Sequence, residues 1–407
     1  MKHLPTLTLV LTLCASCNEH TSTKNQTEQD SITRETEPAN TTYKPAFEGQ
    51  TRANYIKTNT PYTVDVIAEN IDLPWAIMNL PDGRLLITSK KGYMNIVDPK
   101  NKNQVKKVEG LPTVNHFNQG GLLDVIVDPN FATNRIIYWS FSEKDSDDSN
   151  KDHTAIAKGT LSSDESKIEN IQIIYRTIPS HSSGLHYGNR LVFDKDGYLF
   201  ACFGERSDKE FRKYAQDLKS SLGKVIRIST DGKAAPGNPY ASIPDALPEI
   251  YSIGHRNPQT LALNEKGELW EVEHGPRGGD ELNLIKPGKN YGWASITYGI
   301  EYTGEKISNG KTQEDGLEQP NYYWDPVIAP SGGEFYTGNL EEWKGNLFVG
   351  GMIKQALVRL VIQGDRVVGE EHLLKDQKDR IRDAVTGIDG NLYAVGDNGK
   401  LYRIAKK

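Results

Sequence analysis

The segment "IDGNLYAVGDNGKLYRI" (residues 388–404) contains a turn glycine, one intervening residue, and a leucine that begins a hydrophobic strand. The same signature occurs in "PDGRLLIT" (81–88), "KDGYLFACFG" (195–204), "EKGELWEVEHG" (265–275) and "KGNLFVGG" (344–351). Hairpins that recur at intervals of about 45 residues or more are typical of β-propeller blades. The pattern predicts an all-β fold of about six to eight blades, with a pair of β-sandwiches as the alternative.

Other short segments support an all-β interpretation. They are rich in β-branched and aromatic residues and are bounded by turn residues. They are "TVDVIAENI" (63–71), "RLLITSK" (84–90), "IIYWSFS" (136–142), "AIAKGTL" (155–161) and "LYRIA" (401–405). Only "KEFRKYAQDLKSSLGKV" (209–225) suggests a helix, and a short one. The irregular spacing predicts long loops on one face, where propellers carry their functional sites.

The composition and the N-terminus indicate an exported globular protein. The chain has 407 residues, 36% of them hydrophobic, and a net charge of −6 with scattered basic residues, which does not favour a nucleic-acid partner. In "MKHLPTLTLVLTLCASCNEH" (1–20), a lysine precedes an apolar run too short to span a membrane, and small residues precede Cys17. We expect a lipoprotein-type signal over residues 1–17, with lipidation of Cys17; cleavage and release is the alternative.

The mature chain is expected to consist of a tether and one domain. Residues 18–52 are almost entirely polar, which predicts a disordered tether, and residues 53–407 form the propeller domain. Membrane contact would occur only through the lipid anchor, on the periplasmic or cell-envelope side. Besides Cys14 and Cys17, the only cysteine is Cys202, which we interpret as a small buried hydrophobic residue.

Two titratable residues lie at the ends of a hydrophobic strand segment. In "SSGLHYGNRLVFDKDGYLFACFGER" (182–206), His186 stands where a polar loop meets the segment and Glu205 stands where it ends. A single histidine at such a junction is more often structural than catalytic. A nearby carboxylate nevertheless makes His186 a candidate general base.

Cationic residues and a glycine-rich loop suggest a bound anion and a metal ion. Arg380 and Arg382 face the same way if they lie in a strand, and with Lys354 and Arg256 they could bind a small molecule with several anionic groups, although a surface salt bridge with Asp383 is the simpler interpretation. The loop "EHGPRGGDE" (273–281) offers carbonyl oxygens and acids, which suit Ca²⁺. No Cys/His spacing indicates zinc. A base, an anion site and calcium fit redox chemistry with an anionic cofactor better than simple hydrolysis.

An ordered series of motifs resembles the soluble PQQ-dependent aldose (glucose/sorbosone) sugar dehydrogenase family. The resemblance covers essentially residues 70 to 405. Its motifs include "NQGGLLDVIVDP", "HYGNRLVFDKDGYL", "GHRNPQTLAL", "EHGPRGGDELNLIKPGKNYGW", "APSGGEFYTG" and "RIRDAVTGIDGNLYAV". The resemblance implies a six-bladed β-propeller with PQQ and Ca²⁺ as cofactors, an aldose sugar as substrate, and an external electron acceptor such as a cytochrome or a quinone.

The resemblance also implies roles for individual residues. His186 would take the proton of the sugar C1 hydroxyl while hydride passes to the quinone, and Glu205, where the family more often has Asp, would orient His186. The implied cofactor contacts are Gln119, Arg256, Asn257, Lys354, Arg380 and Arg382, and Arg256 also counts as catalytic. Gly275 and Pro276 would offer carbonyl oxygens to the calcium beside PQQ, and Glu281 with the main chain of Tyr291 would bind a second, structural calcium.

Two rival functions remain at this point. A calcium-dependent sugar lactonase on a similar propeller would also need acids and a metal ion, but it would not need the cluster of Lys354, Arg380 and Arg382. A non-enzymatic propeller that binds a partner would have no need of either the base or the cations.

Overall fold

The computed structural model describes Met1 and residues 35–407. The predicted signal with Cys14 and Cys17, and residues 18–34 of the predicted tether, lie outside the described residues. Six four-stranded antiparallel sheets form a six-bladed β-propeller. This confirms the propeller prediction, at the low end of the expected blade number.

The strands follow one another in chain order from blade to blade, except that β1 completes the last blade. The first blade contains β2 (Pro74–Asn79), β3 (Leu85–Ser89), β4 (Tyr93–Val97) and β5 (Val105–Val108). The second contains β6 (Leu122–Val127), β7 (Ile136–Lys144), β8 (Asp152–Leu161) and β9 (Ile168–Arg176). The third blade contains β10 (Gly188–Phe193), β11 (Leu199–Phe203), β12 (Lys224–Ile228) and β13 (Ile250–Ile253). The fourth contains β14 (Pro258–Leu263), β15 (Leu269–Glu273), β16 (Asp280–Ile285) and β17 (Tyr322–Trp324). The fifth blade contains β18 (Pro330–Phe335), β19 (Leu347–Gly351), β20 (Ala356–Gln363) and β21 (Arg366–Leu373). The sixth contains β22 (Ile381–Thr386), β23 (Leu392–Gly396), β24 (Lys400–Lys406) and β1 (Tyr62–Ala68).

The repeated sequence signature marks the second strand of five blades. Its leucines begin β3, β11, β15, β19 and β23, and each is buried. The glycines of the signature have φ angles between 71° and 88°. Residues other than glycine rarely adopt this backbone conformation, so the turn favours glycine here. In the second blade the short helix α1 (Phe131–Asn134) joins β6 to β7 instead, which is why the signature is missing there.

The ring of blades is closed by the two ends of the domain. Strand β1 pairs antiparallel with β24, with Tyr62 opposite Lys406, and so completes the blade that begins with β22. With the ring closed in this way, the inner strand of each blade packs against the inner strand of the next blade.

An arginine at the centre of the ring connects several blades. On β10, Arg190 places Nη1 2.8 Å from Asp124 Oδ1 of β6 and 2.9 Å from Asp383 Oδ2 of β22, and all three residues are buried. Its Nε donates to the carbonyl of Gln259 on β14, and Asp383 accepts the backbone N–H of Ile77 on β2. Burial raises the pKa of Asp124 to about 6, although Arg190 opposes this shift. The innermost strands are therefore joined by buried charges.

We expect Arg190→Leu to lower the free energy of unfolding by about 3–5 kcal/mol, because it leaves two buried carboxylates without their cation. Urea denaturation measures the change. Arg403→Leu is the control, since Arg403 and its partner Asp65 are 32% and 36% exposed and the pair should contribute about 1 kcal/mol or less. Equal losses in the two variants would contradict a central role for Arg190.

The described part of the predicted tether packs on the propeller. Gln50 is fully buried, its side chain donates to the carbonyl of Pro320, and Asn40 and Thr41 bind the carboxylate of Asp325 through backbone and side chain. Arg52 donates to the carbonyl oxygens of Glu35, Glu37 and Asp325. These contacts correct the predicted boundary: polar composition suggested disorder for residues 35–52, but several of their polar groups bind the propeller.

Helical structure is limited to short segments in the described residues. Besides α1, these are the 3₁₀ helices Phe211–Ala215, Ser308–Gly310, Glu341–Trp343 and Lys375–Gln377. The first of them is the short helix predicted within residues 209–225. Within residues 35–407, no helix has both the length and the apolar character that crossing a membrane requires. Cys202 is fully buried as a free thiol, as predicted.

Candidate functional site

His186 and Glu205 form a buried pair at one end of a hairpin. The stretch that suggested one strand segment is two strands, β10 and β11, joined by a tight turn, so its two ends return to the same place. His186 Nδ1 lies 2.9 Å from Glu205 Oε2, and the residues are 6% and 1% exposed. The backbone N–H of His186 donates to Gln119 Oε1 at 2.8 Å.

The pair depends on a close approach of two backbones. His186 has a φ of 45°, and a Cβ atom added to Gly204 would lie 2.2 Å from the His186 carbonyl oxygen. Glycine at position 204 therefore lets the end of β11 pass beside the histidine. Glu205 is fixed by further donors, since the Ser207 N–H reaches Oε2 at 2.5 Å and Trp293 Nε1 reaches Oε1 at 3.2 Å.

The electrostatic environment keeps the imidazole neutral and the carboxylate charged. Burial lowers the pKa of His186 below 6.5, Glu205 opposes this shift, and Arg256 adds to it. Burial acts to raise the pKa of Glu205, but the contacts with His186 and Arg256 outweigh it and hold the pKa below 4.5. At neutral pH the ionised Glu205 therefore accepts the Nδ1–H of a neutral His186, and Nε2 keeps its lone pair.

In Glu205→Gln the pKa of His186 should fall further, by about 1–3 pH units, because the charge that raises it is removed. A pH titration of the histidine ring resonances by NMR measures this change. The exposed His116, which faces Lys90, Lys91 and Asp72, serves as the internal control and should titrate as before. An unchanged or raised pKa of His186 would show that Glu205 does not act on it through its charge.

A cavity of about 680 Å³ opens beside His186. Nine of the twelve predicted site residues line it: Gln119, His186, Arg256, Asn257, Gly275, Pro276, Lys354, Arg380 and Arg382. Glu205 lies behind His186. Residues from separate parts of the chain thus converge on one cavity.

Two of the cavity cations, Arg380 and Arg382, share one carboxylate partner. Arg380 Nε lies 2.8 Å from Asp397 Oδ2, and Arg382 binds both oxygens of the same carboxylate. Burial opposes the two arginines, which nevertheless hold the pKa of Asp397 below 3.8. The predicted partner Asp383 instead binds Arg190. Both arginines reach one group, so they do face the same way.

Lys354 is paired with the N-terminal segment. Its Nζ lies 2.7 Å from Glu35 Oε2 and 3.4 Å from Glu37 Oε2, and its side chain is 11% exposed. Glu37 and Asn40 themselves line the cavity. The segment that the sequence suggested as tether is therefore part of the cavity wall.

The loop after β15 offers carbonyl oxygens at the cavity. Asp280 accepts the backbone N–H groups of Gly275, Ile328 and Ala329, and a Cβ atom on Gly275 would lie 2.2 Å from Gly279. The carbonyl of Gly275 accepts Arg256 Nη1 at 2.6 Å. The loop is therefore held in a fixed conformation, and a residue with a side chain at position 275 would clash with Gly279.

Glu281 and Tyr291 do not line the cavity but lie together next to it. Both line a small adjoining cleft that also contains Glu273 and Thr297. Burial raises the pKa of Glu281 well above its usual range, and the neighbouring Glu273 adds to the shift. A carboxylate in this position is suited to a cation.

Two charged residues, one lining the cavity and one paired with its arginines, were not predicted from the sequence. Lys90 lines the cavity after β3 and donates to the carbonyl of Asn118 at 3.0 Å, and burial together with Arg382 lowers its pKa. Asp397, the shared partner of the arginines, sits in the last hairpin turn. For Lys90 the only signal was a lysine immediately after a buried strand, and for Asp397 it was an acid in a "GDNG" turn.

The fold and the site define a six-bladed propeller with a buried histidine–glutamate pair beside a cationic cavity. The family profile described as Glucose / Sorbosone dehydrogenase matches residues 71–403. The chain is 40% identical over 350 residues to the aldose sugar dehydrogenase YliI of Escherichia coli, covering 84% of this chain and 93% of that protein. The chain therefore belongs to the glucose/sorbosone dehydrogenase family, as the sequence motifs suggested.

Solved structures agree with this assignment. The apo-form crystal structure of the soluble aldose sugar dehydrogenase from Escherichia coli has a TM-score of 0.80 and 39% identity, covering 85% of this chain and 100% of that chain. The PQQ-bound form of an aldose sugar dehydrogenase from Streptomyces coelicolor has a TM-score of 0.70 and 27% identity, covering 85% of this chain and 98% of that one.

Proposed function

We propose that this chain oxidises the C1 hydroxyl of aldose sugars to lactones, with PQQ and Ca²⁺ as cofactors and His186 as the general base. The observation that carries the proposal is the cavity in which a neutral histidine, backed by a buried carboxylate, stands beside four candidate cofactor cations. Family membership and the names of the similar proteins support a sugar substrate. The PQQ-bound relative supports the identity of the cofactor.

PQQ is a small molecule with three carboxylates, and the cationic residues of the cavity suit such a ligand. Lys354, Arg380 and Arg382 would hold the carboxylates, because ammonium and guanidinium groups bind them by charge-assisted hydrogen bonds. Arg256 and Asn257 would contact the quinone oxygens. The Nε of Arg256 is buried and, among the described residues, has no hydrogen-bond partner, which a cofactor oxygen would supply.

His186 would remove the proton from the sugar. Its Nε2 carries the lone pair, and a positioned base of this kind contributes about 10²–10⁴-fold in rate. Glu205 would hold the imidazole in the required tautomer and stabilise the imidazolium that forms. Bound PQQ supplies the acceptor for the hydride that leaves C1, so the sugar loses two electrons and two protons and the lactone forms.

Two calcium ions are part of the proposal. The carbonyl oxygens of Gly275 and Pro276 would bind the ion beside the cofactor, where a cation polarises the accepting carbonyl. Glu281 and the main chain of Tyr291 would bind a structural ion. Carbonyl and carboxylate oxygens are the ligands that Ca²⁺ prefers.

Dye reduction by the full chain with a panel of aldoses, before and after addition of PQQ and Ca²⁺, tests the proposal. We expect turnover only when both cofactors are present. If neither PQQ binding nor turnover occurs, the cavity serves another purpose. Lactone hydrolysis with Ca²⁺ alone would then indicate the lactonase, and no turnover of any kind would indicate the binding protein.

His186→Ala should reduce turnover by about 10²–10⁴-fold. PQQ binding, followed by calorimetry, should remain largely intact, because the base acts on the sugar. His116→Ala is the matched control, since His116 is exposed and does not line the cavity. Loss of PQQ binding in His186→Ala would contradict the assigned role.

Glu35→Gln should tighten PQQ binding by about two- to fivefold, the range expected for an ion pair at a partly exposed site. The reason is that Glu35 and a cofactor carboxylate would compete for the Lys354 ammonium group. A titration of PQQ into apo protein measures the change, with the exposed Glu48→Gln as the control. Weaker binding in Glu35→Gln would show that Glu35 supports the cofactor site.

We further propose that the protein acts outside the cytoplasm, anchored through Cys17, and passes electrons to an external acceptor, a cytochrome or a quinone. This rests on the N-terminal sequence, whose residues 2–34 lie outside the described part of the chain.

A further inference from the structure

A second cluster, of four titratable residues and one asparagine, lies beside the cavity, in the blade that begins with β14. It consists of His255, Glu271, Glu273, Glu281 and Asn283, and none of these residues lines the cavity. His255 lies between β13 and β14, and the others belong to β15 and β16. His255, Glu271 and Asn283 are fully buried, and Glu273 is 3% exposed.

The strand register brings the acids together. Glu271 pairs with Asn283 and Glu273 pairs with Glu281 across β15 and β16, so four polar side chains share one face. Like charges opposite each other destabilise a sheet unless a partner compensates them. In the part of the chain that the structure describes, no lysine or arginine side chain forms an ion pair with the three glutamates.

The histidine presents a free nitrogen to these acids. His255 Nε2 is bound to Ser252 Oγ at 2.8 Å, and Nδ1 lies 3.6 Å from Glu273 Oε1 and 4.0 Å from Glu271 Oε2. His255 Nδ1, Glu271 Oε1 and Asn283 Oδ1 are buried and, among the described residues, have no hydrogen-bond partner. A histidine fixed through one nitrogen, with the other aimed at carboxylates, is the usual arrangement of a metal ligand.

We propose that His255, Glu271 and Glu273 bind a divalent transition-metal ion. Their ligand atoms all lie within 4.8 Å of one another, so a small closing movement of the side chains would bring them to the separations of about 3.4–4.2 Å that ligands have when each lies about 2.1 Å from one ion. Asn283 now directs its amide nitrogen at the acids, 3.1 Å from Glu271 Oε2. Turning the amide about its last bond would direct Oδ1 at the ion as a further ligand.

The ligand set indicates the class of metal. Imidazole nitrogen suits zinc, copper, iron or nickel, whereas calcium prefers oxygen ligands alone. The site is also separate from the proposed structural calcium site, because the cleft with Glu281 and Tyr291 does not include His255 or Glu271. Glu273 stands between the two, so binding at one would affect the other.

The ion would support the cavity from behind. Glu273 Oε2 accepts the backbone N–H of Arg256 at 2.5 Å and that of Asn257 at 3.2 Å. A metal on Oε1 of the same carboxylate would fix the segment that carries both residues. The inference stands on these contacts and does not depend on the proposed function.

Refolding with Co²⁺ tests the site. The full chain is unfolded with a chelator, refolded with Ca²⁺ alone or with Ca²⁺ and Co²⁺, and desalted. Elemental analysis should show one tightly bound Co²⁺ per chain that excess Ca²⁺ does not displace, with the visible d–d absorption of a nitrogen- and oxygen-ligated ion. A chain that refolds without retaining Co²⁺ would overturn the proposal.

Variants locate the ion. His255→Gln and Glu271→Gln should lose the bound Co²⁺ and its absorption, and Glu265→Gln, an exposed acid in the turn before β15, should keep both. Co²⁺ binding that survives in a folded His255→Gln variant would also overturn the proposal. If these variants do not fold, the Co²⁺ content of the unmodified chain decides.

Discussion

The buried contacts of Arg190 hold the innermost strands of the ring together. Its guanidinium binds Asp124, Asp383 and the carbonyl of Gln259, and Asp383 extends the network to Ile77. The remaining inner strand, β18, supplies a residue without a side chain: a Cβ atom on Gly332 would lie 1.9 Å from Arg190 Nη2. All six blades therefore meet around one cation. Loss of one partner of a buried ion pair is strongly destabilising, so the positions of the strands are mutually dependent.

The site depends on this centre because its residues stand next to the inner strands. Gln119 and His186 lie just before β6 and β10, and Arg256 and Asn257 lie just before β14. Arg382 is the second residue of β22. Fixing the strands around Arg190 therefore fixes the distances between side chains that are far apart in sequence. The hairpin of β10 and β11 adds a local contribution, since it returns Glu205 to His186.

The sequence indicated the repeating elements better than the contacts between them. The turn glycine and leucine identified the second strand in five blades, because a positive φ and a buried position leave a local trace. The blade of β6–β9 uses the helix α1 at that turn and showed no such trace. The pairing of Arg382 with Asp397, and of Lys354 with Glu35, joins segments with no common pattern. Only the folded chain shows that polar residues 35–52 lie on the domain.

These pairings change how the cationic cavity is understood. An unpaired set of cations in a partly buried cavity would be costly and would attract many small anions. In this chain Asp397 and the carboxylates of Glu35 and Glu37 neutralise them first. A ligand gains only the difference between its own contacts and those it replaces, so one carboxylate brings little. In the proposed function, a ligand that presents several carboxylates at the right spacing would engage Lys354 and both arginines together, and selectivity for such an anion would follow from the protein's own acids.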